Sequence, residues 1–285
     1  MSPSRQRLAW VLVALVLLAA IAAWHWWPQA PLPPGVTIAG GDGGGLPRAT
    51  PEQEGLDAKG LDLAVSAGLG QGSRALLITR HGHLLVERYA RGTELGTLFD
   101  GGELSQALLM IASGVAVQRH GMSLPEPPLQ PARFEQAIAT ASGRSYPDFV
   151  SREIWRPMHA SSARWTSSGV SARGVDWLRV AQLLMHDGRF EGTQVVQAGW
   201  IPGHLGLVTG PDADTPAGRE QIRLRGAGAT RLWLVPRLDL AILSLADAPP
   251  VGTEVDESLV RRVITTIRDL PATGGHGLND LVPGH

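Results

Sequence analysis

Apolar and polar positions fall in blocks along this chain, and the blocks predict its elements. The first block, "LAWVLVALVLLAAIAAWHWW" at 8–27, has no Asp, Glu, Lys or Arg. It matches the ~20 apolar residues that a helix needs to cross a bilayer. Arg5 and Arg7 precede it, and Trp24, Trp26 and Trp27 close it. A basic flank and an aromatic belt predict an uncleaved anchor, with 1–7 in the cytoplasm and the remainder across the membrane. The competing reading is a signal peptide, for which "AIAA" at 20–23 supplies small residues.

Residues 28–50 carry prolines at 28, 31, 33, 34 and 47 and the run "GGDGGG" at 40–45. Such composition has little to bury and predicts a tether. A folded domain is expected over 51–270 and a flexible tail over 271–285. Within the domain, "ALLITR" at 75–80 and "LLVERYA" at 84–90 flank Gly82 as a hairpin. The stretch 104–117 is apolar on nearly every side, a buried helix.

Helices are predicted over 131–142 and 146–158, parted by Gly143. Another covers 175–187, where Trp177, Leu178, Ala181, Leu184 and Met185 recur at helical spacing before Gly188. "TRLWLVP" at 230–236 and "LDLAILSLA" at 238–246 form a second hairpin. A last helix places Val255, Leu259, Val263 and Ile267 on one stripe, behind the capping-box spacing of Thr253 to Asp256. Strands at both ends with helices between predict an α/β (α+β) fold. Its antiparallel sheet brings the first and last hairpins together and is flanked by helices.

Composition narrows the function. The 285 residues hold 25 basic and 26 acidic side chains, scattered rather than striped, which argues against nucleic-acid binding. The absence of cysteine removes disulfides, thiolate metal sites and cysteine nucleophiles. The histidines show neither an H-E-x-x-H pattern nor a spaced pair on one helix face, so no metal and no cofactor is expected. Trp155, Trp177 and Trp233 are expected in packing rather than as a sugar-binding platform.

Several stretches together resemble the serine β-lactamase and penicillin-binding-protein-like hydrolases, the group of class C β-lactamases, D-amino-acid peptidases and related esterases. They are "TPEQEGLDAKGLD" at 50–62, "LLITRHGHLLVERY" at 76–89, "SGVAVQRHGMSL" at 113–124, "SGRSYPDFVSREIWRPM" at 142–158, "DWLRVAQLLMHDGRFEGTQVV" at 176–196 and "RLWLVPRLDLAIL" at 231–243. The resemblance implies a β-lactamase/DD-peptidase-like fold. It also implies a chemistry in which a serine at the first turn of the central helix attacks a carbonyl and a lysine three residues later helps remove its proton. A tyrosine from a Tyr-x-Asn motif relays protons, and a strand motif such as Lys-Thr-Gly or His-x-Gly forms the far wall.

Counting back from Gly114, the serine position falls on Glu103 and the lysine position on Gln106. A carboxylate is a poor substitute for an activated hydroxyl, and a neutral amide accepts no proton at neutral pH. Independently of any alignment, the single lysine, Lys59, has Leu56 three residues before it, so Ser-x-x-Lys is absent. Neither tyrosine, Tyr89 or Tyr146, begins Tyr-x-Asn. Counting back from Gly143 puts the tyrosine motif at "EPP", 126–128. Only "HGMSLPEPPLQPAR" at 120–133 replaces the family's helical subdomain, which is expected to be largely deleted. A second shortening is expected over 161–174.

Ser105 and Ser113 are the serines within the central helix, and Ser105 is a weak candidate nucleophile because no base is in view. Arg225, in "RLRGAGATRL", could bind an anion, although a glycine-rich strand start is more often a bend. Glu103 has a bland role at a helix start, where the dipole favours a carboxylate. Three functions are weighed: an inactive, inner-membrane-anchored periplasmic homologue that binds or scaffolds; an active hydrolase around Glu103, Ser105 and Arg225; and an interaction module for an envelope partner. The expected partners are the inner membrane, through the N-terminal helix, and an envelope protein or peptidoglycan-like ligand.

Overall fold

Leu76 and Ile78 leave their strand on one side and Ala75 and Leu77 on the other, and all four are fully buried. A strand covered on both faces has no use for a polar side, which explains its continuous apolar run. The computed structural model describes residues 35–126, 130–166, 168–206, 222–226, 228–246 and 258–269. In chain order the strands are β1 (Val36–Ile38), β2 (Ala75–Arg80), β3 (His83–Tyr89), β4 (Phe99–Asp100), β5 (Ala163–Thr166), β6 (Gly169–Ala172), β7 (Arg189–Phe190), β8 (Thr193–Gln194), β9 (Ile222–Arg225), β10 (Arg231–Val235) and β11 (Leu240–Leu245). The helices are α1 (Ala58–Gly70), α2 (Glu103–His120), α3 (Pro131–Ser142), α4 (Tyr146–Val150), α5 (Gly174–Met185), α6 (Trp200–His204) and α7 (Ser258–Ile264).

The main sheet has the order β3-β2-β11-β10-β9 and is antiparallel throughout. Its first and last hairpins meet where β2 pairs with β11, Leu77 opposite Leu243. One face buries Leu76, Ile78, Trp233, Val235 and Ile242 with residues of α1 and α7. The other buries Leu77, Leu232, Leu234 and Leu243 with residues of α2 and α5. A second, smaller sheet, ordered β1-β5-β6-β4, lies against the start of α2. Trp155, Trp177 and Trp233 are all inside.

The tether expected over 28–50 is divided by the structure. Residues 28–34 lie outside the described ones, whereas from Val36 the segment is docked on the domain. β1 pairs with β5, Gly41 N–H donates to Ala160 O at 2.8 Å, and the Arg179 guanidinium donates to the Gly44 carbonyl. A Cβ added at Gly40 would lie 2.4 Å from the Ser161 carbonyl carbon, so this glycine permits close packing rather than flexibility. Arg179 is itself buried and paired with buried Asp176 at 2.6 Å. The Ser161 N–H at 3.1 Å and the Arg173 Nε–H at 3.3 Å complete the carboxylate's shell.

Smaller differences have local causes. The helix expected over 146–158 is α4 followed by one π turn, Ser151–Trp155, where Ser151 Oγ donates to Ala39 O at 2.7 Å. The residues before the glycine-rich stretch at 226–228, for which the sequence pattern predicted no element, form the edge strand β9, because Leu224 and Ile222 pair with Leu232 and Leu234 of β10. Among the described residues no helix is long and apolar enough to cross a membrane, and the anchor expected over 8–27 lies outside them. The capping residues Thr253 to Asp256 and the tail over 271–285 also lie outside them.

Candidate functional site

The start of α2 is set by two glycines that follow Asp100. Gly101 N–H donates to Val170 O at 2.9 Å, and a Cβ there would lie 2.5 Å from Ser105 Oγ and from the Trp177 ring. Gly102, at φ 51°, adopts a backbone that costs other residues dearly, and its N–H donates to Asp100 Oδ1 at 3.1 Å. The first turn then closes on the glycine carbonyls, with Leu104 N bonded to Gly101 O and Ser105 N to Gly102 O.

Glu103, half-buried in this turn, accepts the main-chain N–H of Arg225 at 2.7 Å through its Oε2. A carboxylate here gains from the helix dipole and from a charge-assisted bond to an edge-strand donor. Ser105 is 8% exposed, and its hydroxyl is engaged in both directions. It accepts Val170 N–H at 2.9 Å and donates to Val170 O at 3.2 Å, pairing with β6 as another strand would. Gly169, at φ 125°, leaves room for this: a Cβ on it would lie 2.8 Å from Ser105 Oγ.

The other anticipated residues are placed apart. Gln106 is exposed, away from the buried Ser105 side of the helix. Arg225 ends β9 with an exposed side chain, and its contribution to the site is its main-chain N–H. Ser113 is buried and donates to Leu109 O at 2.8 Å, the ordinary bond of a helical serine. Lys59 lies on α1, whose buried residues are in the opposite layer to those of α2.

Neither phenol can serve as a base there. Tyr89 belongs to β3, the edge opposite β9, and burial together with Glu87 raises its hydroxyl well beyond the usual range. Burial does the same to Tyr146, helped by the nearby charge of Glu135. The Glu135 carboxyl is in turn pushed up by burial, which outweighs the Trp165 N–H that it accepts at 3.3 Å.

Asp100, Thr166 and Ser168 join the site although the sequence pattern singled out none of them. Ser168 Oγ donates to Asp100 Oδ2 at 2.6 Å and lies 2.9 Å from Thr166 Oγ1, which donates to Gly169 O at 3.0 Å. This polar network fastens the β5–β6 turn to the start of α2. The signals available were Asp before paired glycines and hydroxyl residues in a turn, both commonplace. Among the described residues no group of three His, Asp or Glu side chains could hold a metal ion. His81 and His83 instead contact the two oxygens of Glu54, at 2.6 and 2.8 Å.

No family profile and no curated protein matches this sequence. Solved structures do. An assigned 6-aminohexanoate-dimer hydrolase from Bacillus anthracis aligns at TM-score 0.57 and 13% identity, over 86% of this chain and 92% of its own. An assigned β-lactamase from Bacteroides dorei aligns at TM-score 0.58 and 12% identity, over 74% and 99%. The fold is that of the β-lactamase-like serine hydrolases.

EstCE1, a hydrolase with promiscuous acyltransferase activity, is similar too, at TM-score 0.54 and 9% identity, over 76% of this chain and 99% of its own. Identities this low establish the fold of a β-lactamase-like hydrolase and leave the chemistry to the residues present. Those residues offer two carboxylates, an engaged buried serine and an exposed serine bonded to an aspartate.

Proposed function

We propose that this chain is a catalytically silent relative of the serine hydrolases that works by binding. Residues 8–27 anchor it in the inner membrane, and the folded domain faces the periplasm. Its cleft has lost the wall that a helical subdomain would form, reduced to the residues 121–130 between α2 and α3. One observation carries the reading: the Glu103 carboxylate rests on the Arg225 N–H at 2.7 Å, where an acyl-transfer site needs a hydroxyl and open donors. The Ser105 hydroxyl supports it, since both of its bonds go to Val170.

An active hydrolase built on Glu103, Ser105 and Arg225 is the weaker reading, because it needs a base that these three residues do not supply. The test is turnover by the full-length protein in detergent. A chromogenic cephalosporin and p-nitrophenyl esters should be hydrolysed no faster than in buffer. A saturable rate abolished by one serine substitution would refute the proposal.

A further inference from the structure

A row of cross-strand pairs runs from the first strand of the domain to the start of the central helix. Gly35 N–H donates to Trp165 O at 2.8 Å, and Val36 lies opposite Trp165 in the β1–β5 pair. On its other side Trp165 lies opposite Val170 in the β5–β6 pair. Val170 in turn donates its N–H to Ser105 Oγ at 2.9 Å, and its carbonyl accepts Gly101 N–H at the same distance. Val36, Trp165, Val170 and Ser105 are successive members of one row, and neighbours in such a row support one another.

The outer end of the row is lightly held. β1 is an edge strand of three residues, and of its side chains Ile38 alone is fully buried. The chain that follows, "AGGDGGG" at 39–45, has little to bury and is held by polar contacts. Ser151 Oγ donates to Ala39 O at 2.7 Å, Gly40 N–H to Ser162 Oγ at 3.2 Å, Gly41 N–H to Ala160 O at 2.8 Å, and the Arg179 guanidinium to Gly44 O. Asp42 meets the exposed His159 ring at 3.1 Å. Beside this stretch Ser161 Oγ and Arg179 Nε are buried with no hydrogen-bond partner among the described residues, a cost that opening to water relieves. The far end is fastened separately, with Leu46 buried and Pro47 O accepting Leu84 N–H of β3 at 2.7 Å. Short segments with few buried side chains are the ones that open below the free energy of global unfolding.

We propose that β1 is a conformational latch on the start of α2. While β1 pairs with β5, Trp165 and β6 hold the Ser105 clasp closed. When β1 peels away, the clasp loosens. Trp165 transmits the change because it is paired on both sides, and its indole N–H is tied to Glu135 Oε1 at 3.3 Å. Whatever lifts β1 therefore reaches the start of α2. Opening frees a hydroxyl and brings no base, so the chain stays silent in both states.

Hydrogen exchange read by mass spectrometry on full-length protein in detergent tests the coupling. Ile38→Ala trims the buried side chain of β1. Peptides covering 35–40 and 168–172 should then both exchange about tenfold faster than in the wild type, while those of β2 and β11 change far less. Leu46→Ala removes a buried side chain beyond the row; it should speed exchange over 40–48 and leave 168–172 unchanged. Coupling is reciprocal, so Ser105→Ala should speed exchange over 35–40, a result that decides alone if Ile38→Ala does not fold. The proposal is overturned by an unchanged 168–172 in Ile38→Ala, or by an unchanged 35–40 in Ser105→Ala. Equal acceleration of the main sheet, or the same response of 168–172 to Leu46→Ala, overturns it too. Turnover is read in none of these measurements, so the latch and the silent-hydrolase reading stand or fall separately.

Discussion

Glu103 and Arg225, 122 residues apart in sequence, are joined by a 2.7 Å bond from the main-chain N–H of one to the carboxylate of the other. The bond ties the first turn of the central helix to the edge strand of the main sheet. Removing it has a structural cost and opens no chemistry. Glu103→Ala should lower stability by about 1.5–3 kcal/mol, the range for a hydrogen bond to a charged group. Glu103→Gln keeps an acceptor and should lose less. Urea titration of the two variants checks the order, and neither should gain hydrolytic turnover.

Ser105→Ala separates a clasp from a nucleophile. It leaves the buried Val170 N–H without the hydroxyl it donates to, so stability should fall by about 1–3 kcal/mol. Any residual esterase activity of the preparation should stay unchanged. A catalytic serine would show the reverse, loss of activity with little loss of stability.

Arg179→Met should be among the most damaging single changes. Asp176 is fully buried and would be left with Arg173 as its charged partner, at 3.3 Å, so the cost should approach but not reach the roughly 3–5 kcal/mol of an unpaired buried charge. The same change removes the guanidinium from the Gly44 carbonyl. Limited proteolysis should therefore cut the 40–50 segment sooner in the variant than in the wild type.

His186 gives a pH signature. Its hydrogen bond to Asp239, at 2.8 Å, raises its pKa in the folded state, against a smaller opposing effect of burial. A raised folded value means that the stabilisation is fully present below the unfolded value, about 6.5, and is lost as pH rises through the folded one. The wild type should exceed His186→Gln in denaturation midpoint by more at pH 5.5 than at pH 8.5. A difference independent of pH would contradict the pairing.

The main sheet was legible because β2, β10 and β11 are apolar on both faces, α2 because it is apolar on nearly every side over a helix's length, and α5 because its apolar residues recur at helical spacing. The strands β1, β5 and β6 were not. Stretches as short as "VTI", "ARWT" and "GVSA" carry no periodic signal, and their partners, Val36 with Trp165 and Gly101 with Val170, are distant in sequence. The glycines of 40–45 read as a flexible tether because composition cannot distinguish freedom from close packing. At the site, the missing lysine and tyrosine motifs were plain, since a residue type absent from the chain is absent from any fold of it. The role of Ser105 was hidden because its partner, Val170, is 65 residues away.

Covalent labelling tests the central claim most directly. Full-length protein in detergent is exposed to a fluorescent penicillin and to a fluorophosphonate, with intact mass recorded alongside gel fluorescence. The account predicts an unmodified chain with both reagents. Stoichiometric labelling of the wild type that disappears in folded Ser105→Ala or Ser168→Ala would contradict it.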